Sequence, residues 1–381
     1  MGQNAALPQN TGGCLTMWVS LLLVGTTLLF LLPLLPTLIE LRLREDIQPV
    51  AVDPANAGNI DYFAESFLDF ITPAIADFQA GKTQRLIDQD YSLFRDDTGF
   101  DADAAEMLQS IRHRITIGLG SLHLPAEVYF SQEIFSQKNI DCGERSRLRS
   151  VLAIGNLHLG GDSQLLRWAH ARNISVDSGC LLLGRVSAEA ELVLQPRCEF
   201  TRLNAQTITV ASEPGSPIAD SQQPLAPTTE VTMLRERADR SGRVLWEGDL
   251  DFPEFGFWRG DLIVRGNALI RVNAQISGSI KVYGDIQIEP GAGIDGTLVC
   301  NGDIHIAEQC RLKGPVVSEQ QITIDQHTRI GNPDTPTTVT APSILVVAGV
   351  TVHGSLWARN RGKTLAALDD VRTGLHYSQR A

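Results

Sequence analysis

Residues 291–296, GAGIDG, carry the G-x-G-x-x-G spacing that cradles a dinucleotide pyrophosphate when it joins a strand to a helix. No helical pattern follows here, and Gly291, Gly293 and Gly296 lie inside a longer period, so the match is a by-product of that period and no cofactor is expected. His305, His327 and His353 have the chemistry of general bases. Each lies between or beside apolar residues two apart, which turns it outward on a strand, and no nearby carboxylate pattern singles one out, so no catalytic residue is expected. His170, in RWAHA, sits where the apolar phase slips by one residue and reads as a packed corner residue. The 6 cysteines include no CxxC pair, so no zinc or other metal site is expected. Cys180 and Cys198 share one inward column, where a disulfide is geometrically conceivable. Burial as small apolar side chains is the preferred reading.

What would position such residues is a repeat. Leu262 and Val264, Ala268 and Ile270, Ala274 and Ile276 are apolar pairs two apart that begin every six residues. The triplet returns as Ile280 and Val282, Ile286 and Ile288, Ala292 and Ile294, then as Leu298 and Cys300, Ile304 and Ile306, Cys310 and Leu312. A fourth pass gives Val316 and Ser318, Ile322 and Ile324, Thr328 and Ile330. After the insertion NPDTPT the phase resumes at Ile344 and Val346, Val350 and Val352, Leu356 and Ala358. A period of two is a short strand, and three strands per eighteen residues make a three-sided all-β solenoid. Gly266, Gly278, Gly284, Gly296, Gly302 and Gly314 punctuate it two residues after an inward side chain, at bends that need positive φ or close backbone approach.

The same rule runs upstream through Ile174 and Val176, Cys180 and Leu182, Val186 and Ala188, Leu192 and Leu194, Cys198 and Phe200. Weaker coils begin near Val128 and Phe130 and continue through Ile134, Ile140 with Cys142, Leu148, and Leu152 with Ile154. The spacing therefore predicts a first block over 126–210 and a second over 244–360, with 211–243 a loop ejected from one corner and 361–381 a tail. Ten or eleven turns at about 4.8 Å would make a rod of roughly 50 Å. Residues 61–125 read as an α-helical region. Phe63, Phe67, Phe70, Ile71, Ala74 and Phe78 form one stripe that packs against the next domain, Pro73 opens a second helix capped by Thr72, and a further helix runs over 101–114.

The first charged side chain is Glu40. The apolar run at 15–39 would span about 35 Å as a helix, enough for a hydrocarbon core of about 30 Å. It follows a tail at 1–14 without Lys or Arg and precedes a linker at 40–60, so a single-pass anchor is favoured over a secretory signal. Arg42 and Arg44 place the remainder in the cytoplasm. With 44 acidic against 32 basic residues the formal net charge is -12, which excludes an electrostatic grip on nucleic acid by the chain as a whole.

The aliphatic-x-Gly-x-aliphatic pattern of VRGNALIRVNAQISGSIKVYGDIQIEPGAGIDGTLVCNGDIHIAEQCRLKG resembles the bactofilins, polymer-forming cytoskeletal proteins of bacteria. It covers 260–358 well and 126–210 more loosely. Hexapeptide-repeat acyltransferases, the competitor, place Gly directly after the inward aliphatic, a habit followed here only at Ile330-Gly331. The resemblance implies a right-handed β-helix at the bacterial inner membrane that polymerises end to end without nucleotide and scaffolds cell-envelope or peptidoglycan-related proteins. Val350, Val352 and Leu356 of the last coil are then the candidate end-stacking surface. Residues 61–125 over the first coil, or TLAALDDV over the last, are expected caps that would leave a non-polymerising scaffold. A membrane-anchored acyltransferase and an envelope-binding module are the alternatives.

Overall fold

The computed structural model describes residues 12–32, 60–81, 83–100, 105–211, 229–239 and 242–367, with backbone alone at 12–17 and 229. The chain divides into two units, Met1–Asn59 and Ile60–Ala381. In the first, helix α1 (Gly12–Leu31) contains no charged residue, and the side chains described, residues 18–32, are exposed. The 20 residues of the helix cover about 30 Å at 1.5 Å each. Among the described residues no helix is long and apolar enough to cross a membrane. Of the span expected at 15–39, helical conformation is shown at 15–31, and residues 33–59 lie outside the described residues.

The second unit is a mostly-β parallel solenoid of about 13 turns with a spacing near 18 residues, two or three turns more than the repeat count predicts. In its second block the three sides are columns of parallel strands. Val244, Leu262, Ile280, Leu298, Val316 and Val339 stack in one. Leu250, Ala268, Ile286, Ile304, Ile322 and Ile344 stack in the next. Trp258, Ile276, Ile294, Leu312, Ile330 and Val352 form the third. Three-residue strands suffice because each offers two inward side chains and one outward one. Every core residue expected from the repeat, from Ile174 to Ile330, is at most 4% exposed. Each such aliphatic contributes about 1.5–3 kcal/mol.

Corner chemistry differs from corner to corner. Gly266, Gly278, Gly284, Gly296, Gly302 and Gly314 do not have positive φ. They are needed for close approach: a Cβ on Gly296 would fall 2.4 Å from the backbone of Gly278, and one on Gly278 would fall 2.1 Å from the Gly260 carbonyl. Beside them runs a side-chain ladder. Asp249, Asn267, Asp285 and Asp303 each accept, through Oδ1, the backbone N–H one coil on, at 2.7, 2.9, 2.9 and 3.1 Å. The left-handed backbone is at the third corner, in a column of Phe255, Asn273, Gly291, Gln309 and His327.

The first block slips in phase. Ile134 pairs with Val151 and Phe130 with Leu148, so one coil holds intervals of both 17 and 18 residues. Hence Val151 and Ala153 point into the solenoid core, Leu152 turns to the opposite face, and Ile154 is exposed, correcting the inward assignment of Leu152 and Ile154.

Three boundaries also differ from expectation. Among the described residues of 61–125, helix is found at α2 (Tyr62–Ala80) and α3 (Ala105–Ile111), with 101–104 of the helix expected at 101–114 outside the described residues, and strands at Tyr91–Phe94, Ile115–Gly118 and Leu122–Leu124 already belong to the solenoid. Pro73 lies inside α2 and starts no second helix. The Thr72 hydroxyl donates to the Leu68 carbonyl at 2.7 Å instead of capping. At the other end the last strand, Thr351–Leu365, passes the expected limit at 360, and Thr364 and Leu365 of TLAALDDV are strand, with 368 onward outside the described residues.

Candidate functional site: the closed coil ends and the helix-covered face

The two blocks meet at their C-terminal coils. Strand Glu199–Val210 ends the first block and pairs antiparallel with Thr351–Leu365, the end of the second, with Leu203 opposite Leu356 and Ile208 opposite Val352. Val210 N–H donates to the Val350 carbonyl at 3.1 Å and Gly349 N–H to Val210 at 2.7 Å. Asn204 Nδ2 donates to Ser355 Oγ at 2.6 Å, and Arg361 pairs with Glu199. Val350, Val352 and Leu356 do lie on a coil end, each 1% exposed, but the chain's own first block covers that end. They are therefore not a free stacking surface. Two parallel coils can meet this way because the unpaired backbone of one end completes that of the other.

This junction changes the meaning of 211–243. Val210, before the expected loop, lies at the joined ends, and Val244, after it, starts the coil at the far end of the second block, while 212–228, 240 and 241 lie outside the described residues. The described part of 211–243 covers that coil. Strand Thr229–Glu230 pairs with Gly256–Arg259, and helix α4 (Thr232–Arg235) buries Leu234 beside Val231 on the core. At the outer end of the first block, α3 places buried Ile111 among Phe94, Phe100 and Phe130. There Arg85–Ile87 folds back antiparallel on Tyr91–Phe94. Among the described residues of 61–125, this is the part that covers an end.

Helix α2 lies along a lateral face instead. Ala64, Phe67, Ile71 and Phe78 pack on Leu93, Ile117, Phe135, Leu152 and Trp168, so the expected stripe holds at Phe67, Ile71 and Phe78, whereas Phe63 and Phe70 are exposed and Ala64 takes part instead. At the helix start His170 Nδ1 lies 2.8 Å from Ser187 Oγ and 3.3 Å from Asp61 Oδ1, while Nε2 is 3.8 Å from Glu189. Hydroxyl and nearer carboxylate face the same ring nitrogen, unlike a Ser-His-acid relay, which needs them on opposite nitrogens. His170 is buried on the strand face under α2 and not at a corner, and it ties the helix start to the solenoid.

Two further polar sets escaped sequence reasoning. His158 Nδ1 lies 2.7 Å from Asp141 Oδ1 and Nε2 3.2 Å from Asp177 Oδ2, so both carboxylates accept from the ring when it is protonated. Burial alone would lower the His158 pKa, but the Asp141 bond and the charge of Asp177 outweigh it and raise it. The His158 bond in turn holds Asp141 below the usual carboxylate range. His305 Nε2 lies 3.1 Å from buried Asp325, so a carboxylate does accompany this outward histidine, contrary to expectation. The signal was present as separations of 17, 19 and 20 residues, one coil plus or minus two positions. His353 faces Thr207 Oγ1 at 3.2 Å across the junction, and His327 occupies the left-handed corner.

Cys142, Cys180, Cys198, Cys300 and Cys310 are free and buried. Burial pushes the thiols of Cys142 and Cys300 up to about 11 and that of Cys310 to about 12. The neighbouring Cys198 and burial raise Cys180. Among the described residues no group of three or more His, Cys, Asp or Glu is placed to hold a metal ion. Comparison with family models, with curated proteins and with solved structures finds no match to this chain.

Proposed function

We propose that the chain is a bactofilin-like structural scaffold, right-handed in its coils, tethered to the bacterial inner membrane through the apolar run at 15–39, and non-polymerising. The observation that carries the proposal is the antiparallel closure of the two C-terminal coils on each other. Coil ends of this repeat are thus able to complete one another, and this chain uses that capacity internally. With α3 over one outer end and α4 over the other, growth by end-to-end stacking is blocked. What is left is a long, regular lateral surface, suited to arranging envelope proteins by many weak contacts multiplied by tethering. The helix α1, charge-free and apolar, supports the tether, and Arg42 and Arg44 favour a cytoplasmic solenoid.

Sedimentation and negative-stain electron microscopy of the full chain in detergent, without nucleotide and over a wide concentration range, test this reading. It expects one particle of constant size. Filaments that lengthen with concentration would replace it with a polymer-forming reading, and a discrete trimer would move weight to the acyltransferase alternative.

A further inference from the structure

We infer that an outward column of arginines on the first block is a surface that seats the solenoid on anionic phospholipid headgroups. Register aligns Ser150, Trp168, Arg185, Arg202 and Trp357 on successive rungs, and Arg149 and Arg167 immediately precede the first two. Arg359 lies on the last strand between the partners of Arg202 and Phe200. With rungs about 4.8 Å apart, five guanidinium groups line about 20 Å of one edge, parallel to the solenoid axis.

Arg149 is held by Glu133 at 3.3 Å and donates to Ser131 and Gln132 oxygens at 3.1 and 3.2 Å, and Arg185 lies 5.2 Å over the Phe63 ring, so the fold engages these two. Arg202 lies 4.8 Å over Trp357, and its pKa is lowered by burial and by the Arg185 charge one rung away. Among the described residues no carboxylate pairs with Arg167, Arg202 or Arg359. Like charges stacked at rung spacing cost stability, and a chain of net charge -12 has no general excess of basic residues to place there. Such a column is complementary to an anionic surface.

Two observations select lipid over an acidic protein. Phe63 and Trp357, 42% and 43% exposed, stand among the guanidinium groups, the aromatic-basic mixture that membrane interfaces favour. The chain also enters this unit at the same place, since Asp61 contacts His170 and Phe63 meets Arg185. The inference rests on the membrane-tether reading but is separable from it. No core residue of either cluster precedes Ala64, so residues 60–381 form a unit with its own core.

The test is co-sedimentation of residues 60–381 with vesicles of phosphatidylcholine alone and with about one-third phosphatidylglycerol. Binding to the anionic vesicles only is expected. At about 1 kcal/mol for each basic residue near the surface, Arg167→Gln with Arg202→Gln should weaken it roughly 30-fold. The control pair Lys281→Gln with Arg329→Gln, equal in charge but elsewhere on the solenoid, should leave it within about twofold of the parent. Equal binding to neutral vesicles, equal loss in both pairs, or no binding overturns the inference. Capture on polyglutamate without vesicle binding overturns it in favour of an acidic partner. Failure of the tether reading would show separately, as failure of the full chain to float with phosphatidylcholine vesicles.

Discussion

At the scale of single residues, two glycines five positions apart behave oppositely. At Gly296, with an ordinary φ, a Cβ would meet the Gly278 backbone, whereas at Gly291, with φ 75°, it would meet at 2.2 Å the movable end of the Asn273 side chain, in a column where Asn273, Gln309 and His327 also adopt the left-handed region. Gly291→Asn should therefore change stability by less than about 1 kcal/mol, while Gly296→Ala should cost more than about 2 kcal/mol by forcing coils apart. Denaturant midpoints of the two variants check this contrast. Sequence offered both reasons for a corner glycine and could not choose between them, since φ and inter-coil clearance depend on how the coils stack. The His158 set gives a pH prediction. A histidine pKa raised on folding brings stability that is complete below its free value of 6.5 and is lost as pH climbs through the raised value. The lowered Asp141 pKa brings stability present above 3.8 and lost as pH falls through its folded value. His158→Gln should thus lower the melting temperature near pH 5.5 and hardly at all near pH 9. An equal loss at both would contradict the ion-pair account.

At the scale of elements, strands were legible wherever the interval is strictly eighteen, because inward residues then keep their parity. They became illegible where the interval drops to seventeen, since one residue of slip turns every side chain to the other face. That slip moved Leu152 and His170 to the face under α2 and hid the arginine column, whose members stand 18, 18 and 17 residues apart. The apolar stripe of α2 was readable from its helical spacing, but the face it covers was not. Ile71, fully buried between the helix and that face, tests the contact. Ile71→Ala should cost about 2–5 kcal/mol and release α2 to proteolysis while the far block stays protease-resistant. Equal proteolysis of both blocks would show the helix to be integral to the whole rod. The early strands at 91–124 escaped because helix α3 interrupts their period.

At the scale of the whole molecule, the repeat made a three-sided solenoid legible and left its connectivity hidden. Nothing in a local period says whether the second block continues the first or turns to face it, and that distinction decides whether the last coil is a growth point or a seam. Leu203→Asp would place an unpaired carboxylate in the seam and should cost several kcal/mol. Calorimetry would then show two separate transitions in place of a shared one. The most direct measurement is a cross-link. Asn204 and Ser355 are register partners with side chains 2.6 Å apart, 151 residues distant in sequence, and the described native cysteines are buried with most of their thiols held protonated. In the variant Asn204→Cys with Ser355→Cys, mild oxidation should form a disulfide within one chain at every protein concentration, seen as a faster monomer band on a non-reducing gel. A covalent dimer whose yield rises with concentration, or no disulfide at all, would contradict the closure of the two coil ends on each other.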